Sequence, residues 1–240
     1  MKAWLLPGCF LMVGALSQSA WALTPCQSDT AVGSWCEAGI ETLHPTQGGV
    51  GQLQVDETQA TLADMNPKQL DKLMKKKEIP VVIAPDGGYW LVDRHHLTKA
   101  LWQQGVKQVR VKVIGRLQDK DNFWSQMQNN HWAWLKDEKG LPLTPEQLPT
   151  SIDKLPDYPY RTLAGLLQEA GYFSKQDQVY FVEFAWASWL GKQMQWMPID
   201  SANLAARLQQ AKRLACGSDA KDLPGYPGRQ CSLNQSKTAS

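Results

Sequence analysis

The chain is short of net charge: its 240 residues carry 25 Lys and Arg against 23 Asp and Glu, a formal +2. A chain-wide electrostatic grip on nucleic acid or anionic membranes is therefore excluded, and only local basic patches remain. Beyond residue 22 no uninterrupted apolar run approaches the roughly 18 residues that a membrane-spanning helix needs. There is no C-x-x-C pair and no cysteine between Cys36 and Cys216, which argues against a thiolate metal cluster. Acidic residues are also unclustered. Asp56, Glu57, Asp86 and Asp93 stand at no diagnostic ligand spacing, so no metal ligand is assigned; the cofactor stays open, with a divalent metal, held by Asp93, as the alternative to a purely orienting carboxylate. No internal repeat is present. With 43% hydrophobic and 20% charged residues, the chain is neither disordered, collagen-like nor a coiled coil. Tryptophan is abundant, with eleven residues, which suits an aromatic core or a binding groove.

The amino terminus reads as a targeting segment. Lys2 precedes an apolar stretch over 4–16, and Ala20-Trp21-Ala22 has the small-x-small form of a signal-peptidase site. Residues 1–22 are therefore expected to be a signal peptide cleaved after Ala22, giving a periplasmic or secreted protein with no stable membrane anchor. Cys9 lies inside the apolar run and so does not make a lipoprotein signal. Cys26, Cys36, Cys216 and Cys231 remain, an even number that suits an oxidising compartment. Nearness in sequence favours Cys26–Cys36 and Cys216–Cys231, with pairing between the two ends as the open alternative.

Residues 23–39 read as a disulfide-stapled, loop-rich lead, 40–118 as a compact α+β unit, 119–215 as a helical extension packed on it, and 216–240 as a Cys-containing tail. Pro45 with Gly48, Gly49 and Gly51 enforces a loop. Asn66-Pro67 opens a helix over 67–77, ending in the solvated run Lys75-Lys76-Lys77. A β-branched strand at 79–84, the turn Pro85-Asp86-Gly87-Gly88 and a strand at 89–92 make a hairpin. A helix ending at Gly105 and an alternating strand at 106–114 follow. Beyond Gly115, helices are expected within 121–135, at 160–170, at 179–194 and at 201–215. Trp124 to Trp134, Trp186 and Trp189 are expected in the core, His131 as a packed or surface histidine, and Arg161 with Glu183 as an ion pair joining the extension to the core.

Chemistry concentrates in Asp93-Arg94-His95-His96. Asp93 stands where a strand hands over to a helix and can cap it. A helix N-terminus collects anions, because unpaired N–H groups and the positive dipole end converge there. Two imidazoles and a guanidinium on the first turn would add acid/base capacity and a phosphate clamp. On a helical wheel His96 lies beside the apolar stripe while His95 points elsewhere, so the two do not share one job. Adjacent histidines also make a poor metal pair, since helical ligands favour i,i+4 spacing. A capped helix with one packed and one exposed histidine fits the same residues.

Residues 43–114 resemble the ParB/sulfiredoxin-like superfamily, specifically its exported or stand-alone group of ParB-like nucleases. The resemblance rests on Leu43-x-Pro45-Thr46-Gln47, Ile79-Pro80-Val81-Val82-Ile83, and Tyr89-x-Leu91-Val92-Asp93-x-His95-His96 with Ala100-Leu101. Val109-x-Val111-x-Val113 closes it, and Phe123-Trp124, Tyr160-Arg161-x-Leu163-Ala164-Gly165 and Phe184-x-Trp186-Ala187 extend it. It implies an α+β fold, a small mixed sheet with helices followed by a helical extension. It also implies a phosphate-binding Gly-x-x-Arg turn, which falls on Arg94 to Leu97 with both ends altered. His95 occupies the place of the sulfiredoxin cysteine, so that activity is not expected. Export removes the ATP or CTP on which relatives depend and favours hydrolysis by a nuclease or phosphodiesterase. The expected catalytic residues are His95, His96 and Asp93; Arg94, His44, Thr46 and Gln47 would bind phosphate. The expected partner is a phosphate-containing ligand or nucleic acid; no protein partner is assigned. The alternative is a non-catalytic envelope or effector-associated protein keeping the fold with a degenerate nucleotide site.

Overall fold

Alternating β-branched residues build the centre of the molecule, seen in a computed structural model that describes residues 23–175 and 179–228. Strands β3 (Pro80–Ile83) and β4 (Tyr89–Leu91) pair antiparallel, with Val82 opposite Trp90. Their turn closes because Gly87 takes φ +85°, a conformation glycine adopts without a Cβ clash, and Asp86 accepts the Gly88 N–H at 2.9 Å. Helix α3 (His95–Gln103) carries the chain back to β5 (Gln108–Arg116), which lies parallel to β3. Gly105 at φ +78° ends that connection as expected.

Two strands were not expected. β1 (Trp35–Gly39) joins the edge antiparallel to β5, and β2 (Leu43–Pro45) joins the opposite edge parallel to β4, giving the order β1-β5-β3-β4-β2. The supposed loop-rich lead is thus partly sheet. Only Cys36 and Ala38 of β1 are fully buried, too little apolar surface to announce a strand. The expected Cys26–Cys36 disulfide is present and ties the start of the described chain to that strand. Cys216 is disulfide-bonded; its expected partner Cys231 and the expected signal peptide lie outside the described residues.

One sheet face packs Val81, Ile83, Leu91, Val109, Val111 and Val113 against α3 and against α1 (Gln52–Ala63) through Leu101, Val55 and Leu62. The other buries Val82 and Ala84 under α4 (Phe123–Asn129) with Phe123, Met127 and Ala133. α4 is shorter than the helical stretch expected to 135, because His131 turns to φ 57° and the chain leaves the helix. α2 (Pro67–Lys76) starts on the Asn66 capping box. Helices α5 (Pro159–Glu169), α6 (Val182–Gln193) and α7 (Leu204–Ala215) enclose a further core around Trp186, stacked 4.6 Å from Phe173. Trp186 is fully buried, whereas Trp124, Trp132, Trp134 and Trp189 are only partly so. Among the described residues no helix is long and apolar enough to cross a membrane.

Candidate functional site

Where β4 hands over to α3 the backbone makes a left-handed step. Arg94, at φ 69° and ψ 24°, is the residue that precedes the helix, and no side chain caps it. This corrects the expected role of Asp93. Its Oδ1 accepts the Arg94 N–H at 2.6 Å, one residue too early to satisfy the helix's own first donors. The turn keeps a glycine's backbone geometry although an arginine stands there. The Arg94 side chain, 43% exposed, swings out beside Asp93, with Nε 3.8 Å from Oδ2.

Both histidines turn inward. His95 is 3% exposed and accepts the Thr46 N–H on Nε2 at 3.2 Å, while its ring also hydrogen-bonds the Leu91 backbone. His96 accepts the Gly51 N–H on Nε2 at 3.0 Å. An imidazole nitrogen that accepts a backbone N–H must be neutral there, with its proton on Nδ1. Burial drives the His95 pKa down to about 4, with Arg161 adding in the same direction and Asp93 and Leu91 opposing. His96 is lowered well below 6.5 by burial, then by Arg161, His95 and Lys99. It is His95, not His96, that is sealed in the core, because the buried face of α3 runs through His95, Thr98 and Lys99 at ordinary helical spacing, and polar residues there do not show as an apolar stripe.

The two imidazoles thus pin the glycine-rich loop after β2. Trp134 donates its N–H to Thr46 O at 2.8 Å, and Val50 exchanges backbone bonds with Pro156 and Tyr158 at 3.0 and 2.7 Å. Gly51 is required: a Cβ there would stand 2.5 Å from Thr162 Oγ1 and 2.7 Å from its backbone nitrogen. The loop is clamped between the sheet and α5.

Around the turn lies a cleft of about 450 Å³, into which Gln47, Asp93, Arg94, His95 and His96 converge. Two other expected phosphate ligands do not reach it. Thr46 is buried and donates its hydroxyl to Leu91 O at 2.7 Å. His44 Nδ1 lies 3.0 Å from Thr150 O, and its ring packs 4.9 Å from Trp90. Gln47 holds the loop as well, donating Nε2–H to Gly49 O at 2.8 Å.

The opposite wall comes from the helical part: Arg161 on α5, His131, and the segment from Val179 to Phe184 with Lys175. Arg161 and Glu183 do pair, at 3.7 Å, but they link α5 to α6 within the extension rather than to the sheet. Lys175 Nζ is closer to Glu183, at 3.0 Å. Burial alone would raise the Glu183 pKa; Arg161 and Lys175 overcome it and hold the group below the ordinary carboxylate value. Arg161 is left with a distant carboxylate and an Nε that has no hydrogen-bond partner. It lines this cleft and an adjoining one of about 440 Å³, as do Arg94, His96 and Glu183. Sequence reasoning missed Arg161 as a site residue because nothing in its spacing points α5 at the α3 turn. Among the described residues no three His, Cys, Asp or Glu side chains are placed to hold a metal ion.

The family model described as "Putative ParB-like nuclease" matches residues 36–192. The crystal structure of protein Atu1540 from Agrobacterium tumefaciens is similar at 31% identity and a TM-score of 0.71, over 81% of this chain and 97% of that one. The C-terminally truncated chromosome-partitioning protein ParB from Caulobacter crescentus, complexed with CTP-gamma-S, is 13% identical over 85% of this chain and 99% of that one, with a TM-score of 0.30. No curated protein matches the chain.

Proposed function

This chain belongs to the ParB-like nuclease family, and from that premise we propose that its cleft binds a phosphodiester and hydrolyses it. The carrying observation is the pairing of Arg94, on the exposed left-handed step at the α3 N-terminus, with the under-satisfied Arg161 across the cleft. Two guanidinium groups and a free helix N-terminus stabilise a phosphate and the charge that develops on it in the transition state. Asp93, whose side chain is 69% exposed, is the cleft carboxylate not tied between cations, and it serves as general base toward water. His95 and His96 are positioning residues, because their Nε2 lone pairs already hold the loop.

Binding without turnover is the second reading, favoured by that same occupation of both imidazoles. One assay separates the two: hydrolysis of DNA, RNA and a small chromogenic phosphodiester, with and without divalent metal, run beside a binding measurement. Asp93→Asn is expected to lower turnover by about 10²–10⁴ while binding persists. Binding with no turnover above buffer selects the second reading, and neither binding nor turnover overturns both.

Export belongs to the same proposal. The Cys26–Cys36 disulfide suits an oxidising compartment. N-terminal sequencing of the protein from an envelope fraction should begin at Leu23, and an intact Met1 on cytosolic protein would overturn it.

A further inference from the structure

The helical wall of the cleft carries rings that phosphate binding does not use. His131 and Tyr180 stack with centroids 3.8 Å apart and planes 11° from parallel. Both are exposed, Tyr180 by 52%, and neither belongs to any of the apolar clusters. Phe181 and Phe184 of the same wall lie 5.1 and 5.5 Å from the Trp134 ring, and the Arg161 guanidinium lies 5.3 Å from the Phe184 ring centre. The backbone adds an independent sign. Of the five non-glycine residues with positive φ among the described residues, three line this one cleft: Arg94, His131 and Phe181. Such strain gathers at ligand sites, where the surrounding structure enforces it, and for a bulky residue like phenylalanine the conformation is a genuine outlier.

We propose that the His131–Tyr180 pair is a stacking subsite for an unpaired nucleobase, so that the ligand of the cleft is single-stranded nucleic acid. This rests on the phosphodiester reading. The phosphate lies against Arg94 and Arg161, and the neighbouring base continues the stack on the open face of Tyr180. Cationic groups running beside exposed aromatic faces are the combination that single strands require, since every base has a π-face to offer. Bases within a duplex are stacked on one another and reach such a wall only by being flipped out.

Three probes of equal length test it on the full chain by fluorescence anisotropy: a single-stranded oligothymidine, its abasic counterpart with the same phosphates, and a duplex. The oligothymidine is expected to bind about tenfold tighter than the abasic strand, the equivalent of one stacked base. Tyr180→Ala, at an exposed position, should erase that advantage while leaving abasic binding and the salt dependence unchanged; Tyr180→Phe should keep it. His131→Ala removes the ring behind Tyr180 and should narrow the advantage. Equal affinity of the wild type for thymidine and abasic strands overturns the base subsite and leaves the phosphate reading standing. Preference for the duplex also overturns the subsite. Binding of no probe overturns the phosphate reading and the subsite with it.

Discussion

The two walls of the cleft are held by different physics. On the sheet side, the β4–α3 turn and the glycine-rich loop are joined by backbone N–H groups donating to two neutral imidazoles. On the helical side, rings pack on rings, and Arg161, Glu183 and Lys175 share charge across α5 and α6. The sheet-side wall therefore answers to protons and the helical wall to the loss of a charge. Each nevertheless carries left-handed non-glycine residues into the cleft, Arg94 on one side and His131 and Phe181 on the other. Strained backbone is common to both, and only the means of holding it differ.

Acid should break the sheet-side wall first, and this is the largest effect expected. The His95 pKa is about 4 in the folded chain, below its ordinary 6.5, so the unfolded chain takes up the proton first as pH falls. The stabilisation is fully present above pH 6.5 and is lost progressively between 6.5 and about 4. It amounts to roughly 3 kcal/mol. His96 is shifted in the same sense and steepens the loss. Urea unfolding at about pH 7.5 and 4.5 should show the drop, and His95→Gln should flatten it. Equal stability at both pH values would remove the distinction between the walls.

Glu183→Gln should strike the helical wall with little pH dependence between about 6 and 8. It strips the buried Arg161 of its carboxylate, and losing one partner of a fully buried pair destabilises by about 3–5 kcal/mol. Here the separation is 3.7 Å and both side chains are 13% exposed, so about 2 kcal/mol is expected. Millimolar inorganic phosphate should restore the unfolding midpoint of this variant more than that of the wild type, by giving Arg161 a new anion. Equal effects on both would remove Arg161 from the anion site.

How much of this was legible in the sequence follows from where the apolar residues fall. The β3–β4 hairpin, α3 and β5 announced themselves through β-branched runs, turn residues and a change of period, and the disulfide pair through its spacing. α1 did not, because Val55 and Leu62 are its only buried residues, and two such positions over three turns make no visible stripe. β1 hid for the same reason. In the candidate site, Asp93 to His96 stood out as a cluster, but the inward turn of His95 did not, because the buried face it shares with Thr98 and Lys99 is polar and no apolar stripe marks it. Arg161, His131 and Tyr180 meet the turn only through tertiary packing of elements far apart in sequence.

Arg94→Gly gives the smallest and sharpest test of what the two walls share. A left-handed conformation costs a non-glycine residue about 1–2 kcal/mol, and Arg94 at φ 69° carries that strain with a side chain that is 43% exposed. Glycine relieves the strain and is tolerated before a helix, but it loosens the unfolded chain by about 0.4–1 kcal/mol. The net expectation is a gain of roughly 0.5 kcal/mol in stability, with phosphodiester binding weakened about tenfold, as for a lost charge-assisted contact. Phe181→Gly relieves the same backbone strain, yet it also deletes the ring packed near Trp134 and Phe184, so that variant should lose stability. Paired urea melts and anisotropy titrations read both. A less stable Arg94→Gly would mean the left-handed step stores no strain. A stabilised Arg94→Gly that binds as tightly as the wild type would leave the step strained but take the Arg94 side chain out of the anion site.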